Sequence, residues 1–108
     1  MTLTVDPTEL IVPTTGGSVF LNVNSSFEGR AAFKVKISNL ELYRVKPVYG
    51  FIDPKGTVKI EVLRFIGKGK EEKLVIQWAE VPADETEPQA SFKAGAESGE
   101  IAIILKPK

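Results

Sequence analysis

The sequence lacks the residues that carry much of protein chemistry. Its 108 residues include no cysteine and no histidine. The absence of cysteine excludes disulfides, thiol nucleophiles and thiolate zinc sites. The absence of histidine removes the side chain most often used for proton transfer near neutral pH. No pair of carboxylates stands out from the polar strand positions either. The sequence therefore predicts a protein that is not an enzyme and that needs no cofactor or metal.

The sequence also has no excess of positive or negative charge and no long apolar run. The chain carries 14 Lys plus Arg and 14 Asp plus Glu, so its formal net charge is zero. A nucleic-acid-binding domain usually has a cationic excess, which neutralises phosphates. No apolar run approaches the about 20 residues of a membrane-spanning helix, and the first residues show no secretory signal pattern. We therefore expect a cytoplasmic protein with no nucleic-acid partner and no direct membrane insertion.

Apolar residues recur at every second position along most of the chain. This alternation is found in residues 18–24, 31–37 and 57–62. It predicts strands with one apolar face towards a core and one polar face towards solvent. Residues 74–78 and 101–105 are more continuously apolar. They are predicted to be strands that are buried on both faces or that lie at a contact surface.

Turn-forming clusters separate the predicted strands. They occur at residues 14–17, 28–29, 53–56 and 67–70. Residues 53–56 (Asp-Pro-Lys-Gly) fit a tight turn, because proline presets φ at the second position and glycine tolerates a positive φ. Short strands at this spacing predict an all-β, immunoglobulin-like antiparallel β-sandwich of about seven strands. The length suits a single domain over residues 1–108.

Three aromatic residues have predicted structural roles. Trp78 alternates with the apolar residues at positions 74 and 76, which places it in the core. Tyr43 and Tyr49 flank a Val-Lys-Pro segment. They are predicted to pack the connection between the sheets, with their hydroxyls bonded to backbone groups.

Charge is distributed unevenly along the chain. Residues 30–73 carry eleven cationic and five anionic side chains, whereas residues 74–105 carry one cationic and six anionic side chains. Regions of opposite charge can attract copies of the same chain or an acidic partner, although ordinary solvated faces would also give this distribution. The long connection of residues 80–99 is a third candidate interface, with room for a helical turn. Its acidic residues Asp84, Glu85 and Glu87 lack the spacing of a calcium loop.

One block is more specific than the strand pattern. Residues 33–36 read Phe-Lys-Val-Lys, and residues 43–54 read Tyr-Arg-Val-Lys-Pro-Val-Tyr-Gly-Phe-Ile-Asp-Pro. This block resembles the major sperm protein (MSP) domain, as do the Asp-Pro pair at residues 6–7 and the strand of residues 73–77. The likeness covers essentially the whole chain. It implies an immunoglobulin-like sandwich of seven strands that acts through protein contacts.

The resemblance implies two alternative functions. MSP itself assembles into dimers and filaments that drive the crawling of nematode sperm. By this likeness the chain is a nematode sperm protein that self-associates, as a homodimer or larger species, or co-assembles with the MSP cytoskeleton. The related VAMP-associated proteins instead bind acidic FFAT peptides, which carry two phenylalanines in an acidic tract. By this second likeness the chain is a monomeric adaptor for acidic peptides.

The peptide groove of the VAMP-associated proteins implies a set of binding residues. Lys36 and Lys73 match its lysines, and Ser38 is a conservative match to one of its threonines. Ile37 stands where the other threonine would be, and Val75 replaces a methionine, so the hydroxyl and apolar half of the groove is altered. The predicted protein-binding residues are Lys34, Lys36, Ser38, Lys46, Lys73 and Val75. Alternating lysines on a strand also suit a plain solvent face that protects a sheet edge.

Overall fold

Two β-sheets face each other in the computed structural model, which describes residues 3–26, 28–95 and 99–108. Along the described chain the strands are β1 (Leu3–Asp6), β2 (Glu9–Val12), β3 (Gly17–Ser25), β4 (Arg30–Ile37), β5 (Tyr43–Lys46), β6 (Tyr49–Ile52), β7 (Thr57–Arg64), β8 (Glu72–Val81) and β9 (Gly99–Pro107). One short helix, α1 (Ala90–Lys93), precedes β9. Sheet A has the order β1-β3-β7-β5, and sheet B has the order β2-β9-β8-β4-β6. The pairs are antiparallel except for β2 with β9, which is parallel.

The predicted fold class is confirmed, and the strand count differs for a local reason. The described residues form nine strand segments rather than about seven. Two extended runs each cross from one sheet to the other, so that β1 and β5 belong to sheet A while β2 and β6 belong to sheet B. Each crossing contains a proline, Pro7 or Pro47, whose peptide bond is cis. Proline has no N–H to donate to a strand ladder, so the pairing breaks at that point.

The core lies between the sheets and follows the predicted alternation. Trp78 is buried, as predicted. The largest apolar side chains with almost no exposure include Leu3, Leu21, Phe33, Tyr43, Ile52, Ile60, Leu74, Ile76, Ile103 and Leu105. On β8 and β9 the outward positions Val75 and Ile104 are half-exposed and Ala102 is exposed. Burial on both faces is therefore wrong for this part of the two strands, and the contact-surface alternative stays open.

Arg64 is a buried cation that the alternation did not reveal. Its side chain occupies an inward position at the end of β7 and is 1% exposed. The guanidinium donates to the Tyr43 hydroxyl at 2.7 Å and to the carbonyl oxygens of Phe65 at 3.0 Å and Gly67 at 2.6 Å. The Tyr43 hydroxyl thus bonds to a side chain, which corrects the backbone partner expected from the sequence. Three neutral acceptors compensate the loss of water around the charge.

The segment after β8 folds back over the outer face of sheet B. We call residues 82–95 the cover segment. Arg30 donates to the carbonyl oxygens of Ala83 at 3.1 Å and Glu85 at 2.8 Å, and its guanidinium lies 3.8 Å from the centre of the Phe51 ring. Phe92 in α1 packs near Tyr49, with ring centres 6.1 Å apart. The predicted helical turn is present, although residues 96–98 of this connection lie outside the described residues.

Candidate functional site

Four of the six predicted binding residues come together on the outer face of sheet B. Lys36 on β4 lies directly opposite Val75 on β8, and residues opposite each other in an antiparallel pair share a face. Ser38 follows β4 and joins it to the start of β8, because its backbone N–H donates to the Lys73 carbonyl at 3.2 Å. We call Lys36, Ser38, Lys73 and Val75 the basic surface. Both lysine side chains are exposed.

The Ser38 hydroxyl is already engaged within the molecule. It donates to the Glu72 carboxylate at 3.0 Å and accepts from the Lys73 N–H at 3.2 Å. These bonds tie the end of β4 to the start of β8. The serine therefore positions Lys73, and its proton is not directed at a ligand.

The basic surface continues onto β9 as an apolar strip. Ala102 lies opposite Val75, and Ile104 lies opposite Lys73. At the far side, the Lys106 ammonium pairs with the Glu9 carboxylate at 3.3 Å. Lysines beside partly exposed apolar side chains offer both charge and burial to a partner. Interfaces commonly combine an apolar centre with a polar rim.

A groove of about 450 Å³ adjoins the basic surface on the side of β5. It is lined by Lys34, Val35, Lys36, Ile37, Leu40, Val45 and Val48. Leu40 is 62% exposed and Val48 is 45% exposed. The sequence analysis missed both residues, because they lie outside the strand alternation.

Two predicted residues stand apart from the basic surface. Lys46 on β5 lies opposite Glu61 of sheet A, and it lines a separate recess of about 260 Å³ together with Arg44 and Leu63. The Lys34 ammonium lies 5.6 Å from the centre of the Tyr49 ring, so a cation–π contact already holds it at the border of the groove.

An acidic cluster occupies the other end of the same face. Asp84 and Glu87 in the cover segment are exposed, and the two Arg30 hydrogen bonds hold the backbone around them. Arg30 and Ile37 mark the two ends of β4. At about 3.3 Å per residue, these ends are about 23 Å apart. One face therefore carries an acidic end and a basic end.

The candidate site combines cationic and apolar side chains. Within residues 3–26, 28–95 and 99–108, no group of acidic residues is arranged to hold a metal ion. The part of the chain that is described also contains no helix long and apolar enough to cross a bilayer. The functional groups brought together are lysine ammoniums and aliphatic side chains, which recognise a carboxylate-bearing partner by charge and apolar contact.

Comparisons with known proteins agree with the observed fold. The family model of the MSP (Major sperm protein) domain matches residues 2–100. Sperm-specific class P protein 31 of Caenorhabditis elegans is 55% identical over 103 residues, which cover 95% of this chain and 96% of that protein. The solved structure of WR4, a C. elegans MSP family member, superposes with a TM-score of 0.94 at 53% identity, covering 98% of this chain and 97% of that one.

The fold itself extends to more distant proteins. The ASH/PapD-like domain 7 of human CEP192 has a TM-score of 0.68 at 8% identity, and the match covers 98% of this chain and 83% of that one. At this identity the likeness concerns only the immunoglobulin-like sandwich.

Proposed function

Because the chain belongs to the MSP domain family, we propose that it is a cytoplasmic, non-enzymatic protein of nematode sperm that self-associates or co-assembles with MSP-family proteins in their cytoskeleton. One observation supports this proposal above the others. The basic surface and the acidic cluster of the cover segment lie at opposite ends of the outer face of sheet B. The basic surface of one copy is thus complementary to the acidic cluster of the next.

The basic surface and the acidic cluster of one molecule are too far apart to neutralise each other, so both can bind other copies. The ends of β4 are about 23 Å apart, and electrostatic interactions are screened over about 8 Å at physiological ionic strength. Intramolecular neutralisation is therefore weak. Because two different patches meet, the contact is heterologous, and repeated heterologous contacts produce open chains unless the rotation closes a ring.

Apolar contacts add to the charge pairing. Val75, Ala102 and Ile104 lie beside Lys36 and Lys73 on the same face. Exposed ion pairs contribute little by themselves, typically below about 1 kcal/mol. Burial of the apolar strip against a partner is worth about 25 cal/mol per Å². We expect weak contacts that become effective at high protein concentration.

Sedimentation velocity over a wide concentration range tests the proposal. We expect dimers and larger species that grow with concentration and shrink when salt is raised. The variant Lys36→Asp/Lys73→Asp should remain monomeric under the same conditions, whereas Lys55→Asp/Lys59→Asp, which removes the same charge elsewhere, should assemble like the wild type. A wild-type protein that stays monomeric at millimolar concentration and fails to co-sediment with MSP filaments would refute the proposal.

The groove beside β5 favours a second candidate function. Its apolar lining adjoins Lys36, and its volume of about 450 Å³ accommodates an aromatic side chain. An acidic peptide with two phenylalanines matches this combination, which supports an adaptor role for a monomeric form of the protein. The departures at Ile37 and Val75 leave the surface more aliphatic than the FFAT groove.

A peptide titration distinguishes the adaptor from the assembling protein. We expect an acidic peptide with two phenylalanines to bind the wild type at least about tenfold more tightly than the Lys36→Asp/Lys73→Asp variant, a difference of about 1.4 kcal/mol. A peptide with both phenylalanines replaced by alanine serves as the control for the apolar half. Equal affinity of the wild type and the lysine variant would exclude this function.

A further inference from the structure

One end of the sandwich presents apolar side chains on two loops that contact each other. Ile66 is 77% exposed and Leu40 is 62% exposed, the two highest values among the large apolar residues described as exposed. Phe65, beside Ile66, is 37% exposed. The Phe65 N–H donates to the Leu42 carbonyl oxygen at 2.8 Å, which joins residues 65–70 to residues 38–42. We call residues 65–70 the tip loop.

The structure holds the tip loop in place from three sides. Arg64 donates from inside to the carbonyl oxygens of Phe65 and Gly67. The Gly67 N–H donates to the Thr14 carbonyl at 3.0 Å. Gly67 has a φ of +149°, and a Cβ there would lie 3.1 Å from a methyl carbon of Leu42. The exposure of Ile66 is therefore built into the loop conformation, because the backbone on either side of it is tied down.

Cationic side chains surround the apolar tip. Lys68 and Lys70 follow Ile66 within the same loop, and both are exposed. The Arg44 guanidinium lies 5.4 Å from the centre of the Phe65 ring. Residues 65–70 contain no acidic side chain, and the first one after them is Glu71. The other charged residues near this end are Glu41, Glu72, Lys73 and Lys108.

We propose that the tip loop is a peripheral docking site for an anionic lipid bilayer. Ile66 and Phe65 would enter the boundary between headgroups and acyl chains, and Lys68 and Lys70 would contact lipid phosphates. Juxtaposed basic and apolar groups give this mode of surface binding, which is shallow and reversible. The site goes beyond the proposed protein contacts, which use the outer face of sheet B.

The shape of this end favours a bilayer over a protein partner. Residues 65–70 line neither of the two recesses that flank β5, and Ile66 is 77% exposed. A fluid bilayer can receive an exposed apolar side chain without a preformed pocket. Negative lipid headgroups also complement the three cationic side chains Arg44, Lys68 and Lys70.

Vesicle co-sedimentation tests the assignment with the whole chain. The probes are phosphatidylcholine vesicles, either alone or with phosphatidylserine, an anionic lipid that gives the cytoplasmic leaflet its negative surface potential. The variants are Ile66→Asp and Lys68→Glu/Lys70→Glu. Val48→Asp is the matched control, because Val48 is also a large exposed apolar residue but lies in the groove beside β5. Fluorescence of Trp78, the one tryptophan of the chain, confirms that each variant is folded.

We expect the wild type and Val48→Asp to bind anionic vesicles, and salt to release them. Each tip-loop variant should lose at least about tenfold in bound fraction, in keeping with the removal of one buried side chain or two phosphate contacts. The proposal is overturned if the wild type ignores anionic vesicles, if neutral vesicles bind it equally well, or if Ile66→Asp binds like the wild type. Loss of self-association in Ile66→Asp without any vesicle binding would reassign the tip loop to a protein interface and likewise overturn the proposal.

Discussion

The two ends of the outer face of sheet B have the same strand pattern but differ in solvent exposure. At one end, Ala32 and Ala79 face outward and are fully buried, and Arg30 at this end holds the cover segment. At the other end, Lys36 and Val75 also face outward, and the lysine stays exposed. Both pairs are directly opposed across β4 and β8. Whether a residue on the outer face of this sheet is exposed or buried therefore depends on where later segments of the chain pack.

This difference also sets the charge of the face. The cover segment brings acidic side chains to the covered end, while the uncovered end keeps its lysines and its apolar strip. Arg30 makes the arrangement possible, because it holds the cover segment through two backbone carbonyls. The polarity that the proposed assembly needs thus depends on the backbone contacts of one arginine.

The largest effect should come from placing a charge under the cover segment. Ala79→Glu places a carboxylate at a fully buried position, so we expect the free energy of unfolding to fall by about 3 kcal/mol. Val75→Glu introduces the same group at the uncovered end and should change it by no more than about 0.5 kcal/mol. Urea unfolding followed by Trp78 fluorescence measures both. Similar losses in the two variants would show that the two ends do not differ in burial.

Charge reversal at the uncovered end should affect association and spare the fold. For Lys36→Asp/Lys73→Asp we expect self-association to weaken about 30-fold, equivalent to about 2 kcal/mol. Both side chains are exposed, so the free energy of unfolding should stay within about 0.5 kcal/mol of the wild type. Sedimentation and urea unfolding report the two quantities separately. A large loss of stability with unchanged association would contradict this assignment.

Removing the arginine should loosen the covered end selectively. Arg30→Gln loses two hydrogen bonds to backbone carbonyls and the contact with the Phe51 ring. We expect a cost of about 1.5 kcal/mol, since the ion pair with Asp53 is long at 3.9 Å and adds little. Hydrogen exchange should accelerate in residues 82–95 and stay slow in the strands of sheet B. Unchanged exchange in the cover segment would show that Arg30 does not hold it.

The smallest effect should come from enlarging the apolar part of the basic surface. Val75→Met adds a flexible apolar side chain beside Lys36. We expect a two- to threefold gain in affinity for an acidic peptide with two phenylalanines, or about 0.5 kcal/mol. Isothermal titration calorimetry measures the change, with Gln77→Met one step along the same strand face as the control. An equal gain in both variants would mean that the peptide does not contact Val75 in particular.

The strands could be predicted from the sequence, but the contacts between distant segments could not. Alternation placed residues 18–24, 31–37 and 57–62 correctly, because burial of one face is a local property of a strand. It did not reveal Arg64, whose partners are a distant tyrosine and a turn, nor the burial of Ala32 and Ala79. These features depend on how separate segments meet in space, which no local period encodes.

The candidate site also contains residues that could be predicted from the sequence and residues that could not. The family resemblance selected Lys36, Ser38, Lys73 and Val75, and the structure brings these four together. Lys46 belongs to the block of residues 43–54 that carries the same resemblance, yet its strand belongs to the opposite sheet. The chain crosses between sheets directly after Lys46, at Pro47, and neighbours in sequence are separated there. The apolar lining of the groove could not be predicted from the sequence, because its residues come together only in the fold.

A charge-swap experiment tests the central claim of heterologous contact most directly. Lys36→Glu/Lys73→Glu leaves two acidic ends, and Asp84→Lys/Glu87→Lys leaves two basic ends. We expect each variant alone to sediment as a monomer. An equimolar mixture should assemble again with the two variants alternating, because every contact between an acidic end of one variant and a basic end of the other is attractive. A mixture that stays monomeric, or single variants that assemble like the wild type, would contradict assembly through the two ends of sheet B.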